Sequence, residues 1–418
     1  MRISTLQAFN NGVSGLQRNY SDVTRTQEQI SSGKRILTPA DDPVASVRLL
    51  QLEQQQNVLS QYQGNLAAAQ NSLNQEEATL DTVSNLMQRV RELAVQAGNG
   101  ALSSADRRSI ATELDEREEE LFGLMNTRNA RGEYLFAGFQ GKTQPFVRNA
   151  DGTYSYQGDE GQRKLQVASS LDIAISDNGR AVFENAVNAG RLSVSGNPAA
   201  PAGPLVSGAL VDDEVTFASF PQGGIQLDFN DPANPLKYNL TPLPQPAAGP
   251  VISGTLAAGK DTKVSYGGVT FHVNGTPPNG SSFTISPPDS DPATAPANKV
   301  GILDTIANLR MALEQGSDSP QGAREVRDSV ALAITNLDHG MTTLDTVRGQ
   351  IGARLNTVES TQTSHDEVSL VNKSVQAELR DLDYAEALSR LSMQSIILEA
   401  AQQSYVKVSS LNLFNQLR

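Results

Sequence analysis

The chain has 418 residues, no cysteine, no tryptophan and a formal charge of −13. The missing thiols exclude disulfides, zinc–thiolate sites and cysteine nucleophiles, and the acidic balance argues against wholesale nucleic-acid binding. No run of about 18 apolar residues occurs, so no membrane insertion is expected.

The opening residues, MRISTLQAFNNG, lack the charged-then-apolar layout of a cleaved secretory signal. By these marks alone the chain reads as soluble and cytoplasmic, although export through a dedicated non-cleaving route would leave the same marks. Proline then divides the sequence. Pro39 and Pro43 lie early, seventeen of the twenty prolines fall between Pro145 and Pro296, and none follows Pro320. A proline inside a helix costs about 3 kcal/mol, so long helices are open to both arms and closed to the middle.

In the first arm, Leu52, Leu59, Leu66, Leu73, Leu80, Met87 and Ala94 recur every seven residues. Tyr62, Ala69, Val83, Val90 and Ala97 fall three places later, and Gln55 and Glu76 are polar interruptions. That is a coiled-coil seam, and a helix of its length would be a rod on the order of 80 Å long. Gly98-Asn99-Gly100 stops it, and Ser103 to Asp106 caps a second helix carrying Ile110, Leu114, Leu121 and Leu124.

The middle reads as β. Thr153 to Tyr156 and Lys164 to Val167 flank Gly158-Asp159-Glu160-Gly161, a hairpin signal. Leu171 to Ile175, Val215 to Phe217, Ile225 to Phe229, Val269 to Val273 and Phe283 to Ile285 alternate as strands do. Leu243 to Pro250 is too proline-rich for regular structure.

The second arm answers the first. Ile302, Leu303, Ile306, Leu309 and Leu313 make a short helix ending at Gly316. Val330, Ile334, Leu337, Met341, Leu344, Ile351, Leu355 and Val358 then alternate by four and three, with Arg348 in one seam position. The pattern fades through Gln362 and His365 and resumes from Val371 to Leu382. A last amphipathic stretch carries Leu388, Leu391, Leu398, Tyr405, Leu411, Phe414 and Leu417.

No catalytic, cofactor or metal constellation accompanies this architecture. His272, His339 and His365 are far apart, and no zinc-hydrolase, nucleophile-elbow or Walker pattern is present. Glu116, Glu118, Glu119 and Glu120 read as a solvated helix face. Asp289-Ser290-Asp291 and Asp228-Phe229-Asn230-Asp231 lack the glycine turn and distal glutamate of a calcium loop. The expectation is a non-enzyme with no cofactor.

Two helical arms around a β-rich insertion is the layout of the flagellin family, and specific residues carry the resemblance. Ile30-Ser31-Ser32-Gly33-Lys34-Arg35-Ile36 with Ala40-Asp41-Asp42-Pro43 resembles the family's polar turn between a terminal helix and a rod helix. Asn126-Thr127-Arg128-Asn129 with Gly132-Glu133-Tyr134-Leu135-Phe136-Ala137-Gly138 resembles the string that closes the rod. Leu411-Asn412-Leu413-Phe414-Asn415 resembles its apolar tail. The match covers about residues 1–175 and 300–418. Asp41-Asp42-Pro43-Val44-Ala45 stands where filament subunits commonly have Asp-Asp-Ala-Ala-Gly, which favours a hook–filament junction member.

The resemblance implies an α+β fold in which N- and C-terminal long helices form a coiled-coil rod with an inserted β-rich domain. The implied divisions are an assembly helix and turn at 1–40, rod helices at 41–140, an outer domain at 141–298, rod helices at 299–373 and an assembly helix at 374–418. It implies a structural adaptor joining the first hook-associated protein to flagellin, with a filament subunit as the alternative. Implied partners are those two proteins, copies of this chain in a ring, and a dedicated export chaperone, with no nucleic acid. Implied localisation is the extracellular flagellum, reached by flagellar type III export. Leu6, Phe9, Leu16 and Ile30, with Leu388, Leu391, Leu398, Tyr405, Leu411, Phe414 and Leu417, are the implied assembly interface. Leu52, Leu59, Leu66, Leu73, Leu80, Ile334, Leu337, Met341, Leu344 and Leu355 are the expected rod core.

Overall fold

A computed structural model describes residues 5–196, 206–244, 251–287 and 297–415. Three helices come first: α1 (Thr5–Ser32), α2 (Pro43–Ala97) and α3 (Ser104–Met125). The strands β1 (Phe146–Arg148), β2 (Tyr154–Tyr156), β3 (Lys164–Ala168) and β4 (Leu171–Ala174) follow. Next come α4 (Gly179–Phe183), β5 (Ala186–Val187), β6 (Ser193–Gly196), β7 (Leu210–Val211) and α5 (Glu214–Phe217). The β-rich part continues with β8 (Ile225–Phe229), β9 (Lys237–Pro242), β10 (Ile252–Thr255), β11 (Thr262–Tyr266), β12 (Val269–Val273), β13 (Ser281–Ser286) and β14 (Lys299–Val300). Three helices close the chain: α6 (Ile302–Gln315), α7 (Pro320–Arg380) and α8 (Tyr384–Asn415). The fold is thus α+β, with long helices from both ends and a β-rich insertion.

Two compact units are present, one of residues 1–66, 167–170 and 359–418, the other of residues 67–166 and 171–358. In the larger unit, Leu73, Leu80, Met87, Ala94, Val83 and Val90 of α2 are fully buried. Each such Leu side chain contributes about 1.5–3 kcal/mol by leaving water. On α7 the deepest line is Val330, Leu337, Leu344, Ile351 and Val358, again every seven residues. Its companions are Ala333, Gly340 and Val347, while Ile334, Met341 and Leu355 are half-buried. The second line of the seam thus falls three places after the first, not four. Gly340 leaves room there for Met87, whose Cε would lie 3.1 Å from an added Cβ. Arg348 stands beside this seam, 2.7 Å from Glu77 and 2.9 Å from Asp81.

α3 begins with a capping box: Ser103 accepts from the Asp106 N–H while the Asp106 carboxylate accepts from Ser103. It packs on α6 through Leu114, Leu121, Ile306 and Leu309, all buried. The acidic run is not uniformly a solvated face. Glu116, Glu119 and Glu120 are exposed, but Glu118 is fully buried. It accepts from Arg310 Nε at 2.9 Å, Arg148 at 2.8 Å and the Tyr154 hydroxyl at 2.6 Å. Those three donors make its burial tolerable, and burial beside Glu118 pushes the Tyr154 phenol up.

Two local expectations are corrected. The Gly158–Gly161 signal does not join β2 to β3; β2 pairs with β1, and β3 with β4. The Asp159 carboxylate takes the N–H groups of Phe139, Gln140 and Gly161, which turns this segment toward residues 138–140. Val215 to Phe217 is helical, not extended. The Asp213 carboxylate accepts from Val215 and Thr216 and caps α5.

The β-rich part of this unit has a five-stranded sheet in the order β10-β9-β8-β13-β6 and a three-stranded sheet β11-β12-β7. Ile225, Leu227 and Phe229 alternate inward on β8, Phe283 and Ile285 on β13, and Val269, Phe271 and Val273 on β12. Together they form one apolar core. His272 is half-buried, and burial together with Arg327 holds its imidazole below the ordinary range. Asp228 is half-buried on β8, and Asp231 turns the chain by accepting from Ala233 and Asn234. Asp289, Ser290, Asp291 and residues 245–250 lie outside the described residues.

Candidate assembly interface

The smaller unit is organised by short polar residues at two helix ends. α1 closes at Gly33, whose φ of +70° is the left-handed conformation glycine adopts without penalty. Beyond it, the Arg35 N–H donates to Arg380 O at 2.7 Å and the Leu382 N–H donates to Gly33 O at 3.0 Å. The turn after α1 is thereby tied to the junction between α7 and α8. Asp41 accepts from the N–H groups of Leu37 and Thr38 and pairs with Arg25. The Asp42 carboxylate accepts from the Ala45 N–H, so it caps α2, and Pro43 takes the first helical position. Asp383 caps α8 through the Ala385 and Glu386 N–H groups.

The second motif lies in the larger unit. Tyr134 is buried, receives Arg128 Nη2 on its hydroxyl at 2.5 Å and carries that guanidinium 4.3 Å above its ring. Phe136 is fully buried, edge-on to Phe183. Gly138 has φ +70°, and a Cβ there would collide with Asp159.

α1 and α8 pack on each other, with Thr26 donating to Gln394 at 2.8 Å. Among the described residues of this unit the buried apolar side chains are few: Ile36, Ala45, Leu66, Val167, Leu382 and Ala387. Much apolar surface is left over. Among the described residues, twenty large apolar side chains stand exposed, and fourteen belong to this smaller unit. On α8 they are Tyr384, Leu388, Met393, Ile396, Ile397 and Val406; on α2, Val44, Val47, Leu50 and Val58; on α7, Val368, Leu370 and Val371. Such a concentration is what protein–protein and membrane interaction surfaces have in common.

Of the expected interface residues, Leu388 is 54% exposed, and Leu16, Ile30, Leu391, Leu398 and Tyr405 are half-buried. Leu6, Phe9, Leu411 and Phe414 lie on α1 and α8, but their side chains are outside the described residues, as is all of Leu417. Met393, Ile396 and Ile397 escape a reading that follows one stripe, because they occupy the flank opposite it.

Within this unit α2 and α7 meet through polar groups. Gln56 donates to Ser369 at 2.8 Å, Gln63 donates to Asp366 at 2.7 Å, and Tyr62 lies 5.8 Å from the His365 ring. His365, Ser369 and Asn372 are buried. Leu52 and Leu59 are half-buried here, and Leu66 is fully buried.

Residues 3–141 match the bacterial flagellin N-terminal helical region, and residues 334–417 match the bacterial flagellin C-terminal helical region, together more than half of the chain. The chain belongs to the flagellin family. Within it, a stretch of 185 residues is 35% identical to flagellar hook-associated protein 3 of Salmonella typhimurium. That stretch is 44% of this chain and spans 57% of the relative's length. The crystal structure of the flagellar junction protein FlgL from Legionella pneumophila superposes with a TM-score of 0.62 at 26% identity, covering 80% of this chain and 100% of that one. Flagellin of Listeria monocytogenes is 30% identical over 114 residues, 27% of this chain and 40% of its own.

Proposed function

We propose that this chain is a structural adaptor at the hook–filament junction of the bacterial flagellum, joining the first hook-associated protein to flagellin. One observation carries the reading: exposed apolar side chains are concentrated in the unit built from the two chain ends. The identity of 35% over 185 residues to hook-associated protein 3, against 26% over 364 residues to a flagellin, supports the junction over the filament. In this reading residues 1–40 and 374–418 are the assembly helices, 41–140 and 299–373 the rod, and 141–298 the outer domain. Leu16, Ile30, Leu388, Leu391, Leu398 and Tyr405, with Leu6, Phe9, Leu411, Phe414 and Leu417, meet copies of the chain in a ring and the two axial partners. The role is assembly, not catalysis. The chain leaves the cell by flagellar type III export, and a dedicated chaperone covers the C-terminal helix beforehand.

Deleting the gene in its host tests this. Non-motile cells with complete hooks, no filaments and flagellin shed into the medium are the expected outcome. Loss of the major filament subunit with nothing shed would make the chain a flagellin. Intact filaments would remove it from the flagellar axis.

A further inference from the structure

We propose that β10 is a docking edge for a second copy of this chain, which adds its own β10 antiparallel and continues the five-stranded sheet across a two-fold axis. β10 ends that sheet, and among the described residues no strand pairs with its outer side. The register shows which backbone groups are left over. The Leu256 N–H donates to Leu236 O at 2.7 Å, and Gly254 and Ile252 stand opposite Tyr238 and Leu240 in the same phase. In an antiparallel ladder every second residue turns its N–H and C=O the other way. Ser253 and Thr255, with Val251 just ahead of the strand, therefore point theirs out of the sheet.

Charge and shape select a copy of the same chain as the occupant. No charged residue occurs from Tyr238 to Gly259, so two chains of net charge −13 can meet here without setting like charges opposite each other. The edge strand of the other sheet, β11, instead carries the exposed Lys263, a charge of the kind that keeps strands apart. Pairing about Ser253 sets Ser253 opposite Ser253 and Val251 opposite Thr255, so each outward residue finds a backbone partner. The same alignment puts Ile252, 46% exposed, across from Gly254 of the copy. Gly254 has no side chain, and the Tyr238 ring lies against it, 2.3 Å from where a Cβ would stand. An aromatic ring packed on an edge glycine holds the strand in register. Ile252 thus gains the half-buried Tyr238 ring, and Val251, 54% exposed, gains the Thr255 methyl. A strand of 4 residues buries little, so the pairing is weak and reversible.

This inference is independent of the junction role. The chain has no cysteine, so a single introduced thiol reports the contact. In full-length Ser253→Cys the two Cα atoms on the axis would lie about 5.5 Å apart, within disulfide reach. Under mild oxidation by air a linked dimer is expected about tenfold faster or more than in Val215→Cys, an 88% exposed position on α5 that reports random collision. Val251→Cys should link to Thr255→Cys when the two chains are mixed, and only slowly to itself. Adding Ile396→Asp, which alters the exposed surface of the smaller unit, should leave the Ser253→Cys rate unchanged. Ser253→Cys linking no faster than Val215→Cys would overturn the pairing. Val251→Cys linking to itself as fast as Ser253→Cys, or a Ser253→Cys rate that falls with Ile396→Asp, would overturn it as well, by placing the contact in another register or at the chain ends.

Discussion

The carboxyl group of Glu76, buried on α2, accepts the backbone N–H of Asp177 at 3.0 Å. Its second oxygen has no donor among the described residues. The Asp177 carboxylate itself is held by both Arg354 η-nitrogens at 2.9 Å. Burial, and then the neighbouring Asp177 charge, push the Glu76 carboxyl up to about 8. The native state thus holds a proton that the unfolded chain releases at an ordinary carboxyl value. Stability from this group is greatest at low pH, falls as pH rises, and levels off near pH 8. Glu76→Gln should remove that slope, at most about 1.4 kcal/mol per pH unit. Thermal unfolding of parent and variant from pH 5 to 8.5 checks it. Parallel curves would mean that Glu76 does not hold the proton.

Leu337→Asp should destabilise the larger unit by several kcal/mol, because the position is 1% exposed in an apolar seam. Met341→Asp, on the half-buried flank of the same helix, should cost clearly less. Denaturant unfolding of the two variants separates the two lines of the seam. Equal losses would place both residues in the core.

Gly138→Ala should lose about 2 kcal/mol or more. The residue would be forced to φ +70°, and its Cβ would strike Asp159, which also holds the N–H groups of Phe139 and Gln140. Those bonds keep the Asp159 carboxyl below its ordinary range. The same variant should return it toward that range, readable by NMR titration.

Ile396→Asp and Leu388→Asp should leave the melting temperature within about 1 °C while abolishing assembly with partner proteins. Both side chains are more than half exposed, and exposed substitutions are nearly neutral for folding. Calorimetry and a motility assay on complemented cells check the pair. A matching loss of stability would make the surface part of this chain's own core.

The periodic parts of this architecture were legible before any coordinates. Leu73, Leu80 and Met87 announce their burial by spacing alone, and Ser103 with Asp106 announces its cap. Polarity misled where tertiary partners decide. Glu118 reads as solvated, yet Arg148, Arg310 and Tyr154 bring it inside. Around His365 the apolar pattern fades, yet the seven-residue line from Val330 through Val358 continues to His365 and Asn372, both buried. Val215 to Phe217 alternates like a strand, but one carboxylate, Asp213, turns it into a helix. The His365 line keeps the helical period with polar side chains; the other two outcomes depend on a partner distant in sequence or on a local cap.

The amide-rich meeting of α2 and α7 has a consequence beyond its modest strength. A ladder of leucines repeats every seven residues, so shifting one helix by a heptad places leucine opposite leucine again at small cost. Tyr62 against the His365 ring does not repeat in that way: the residues seven places before and after it are Gln55 and Ala69. A shifted alignment would set an amide or a bare methyl against the buried His365 in place of the Tyr62 ring. These residues therefore encode alignment: they make one antiparallel pairing of the two chain ends far better than its neighbours, at some expense in raw adhesion.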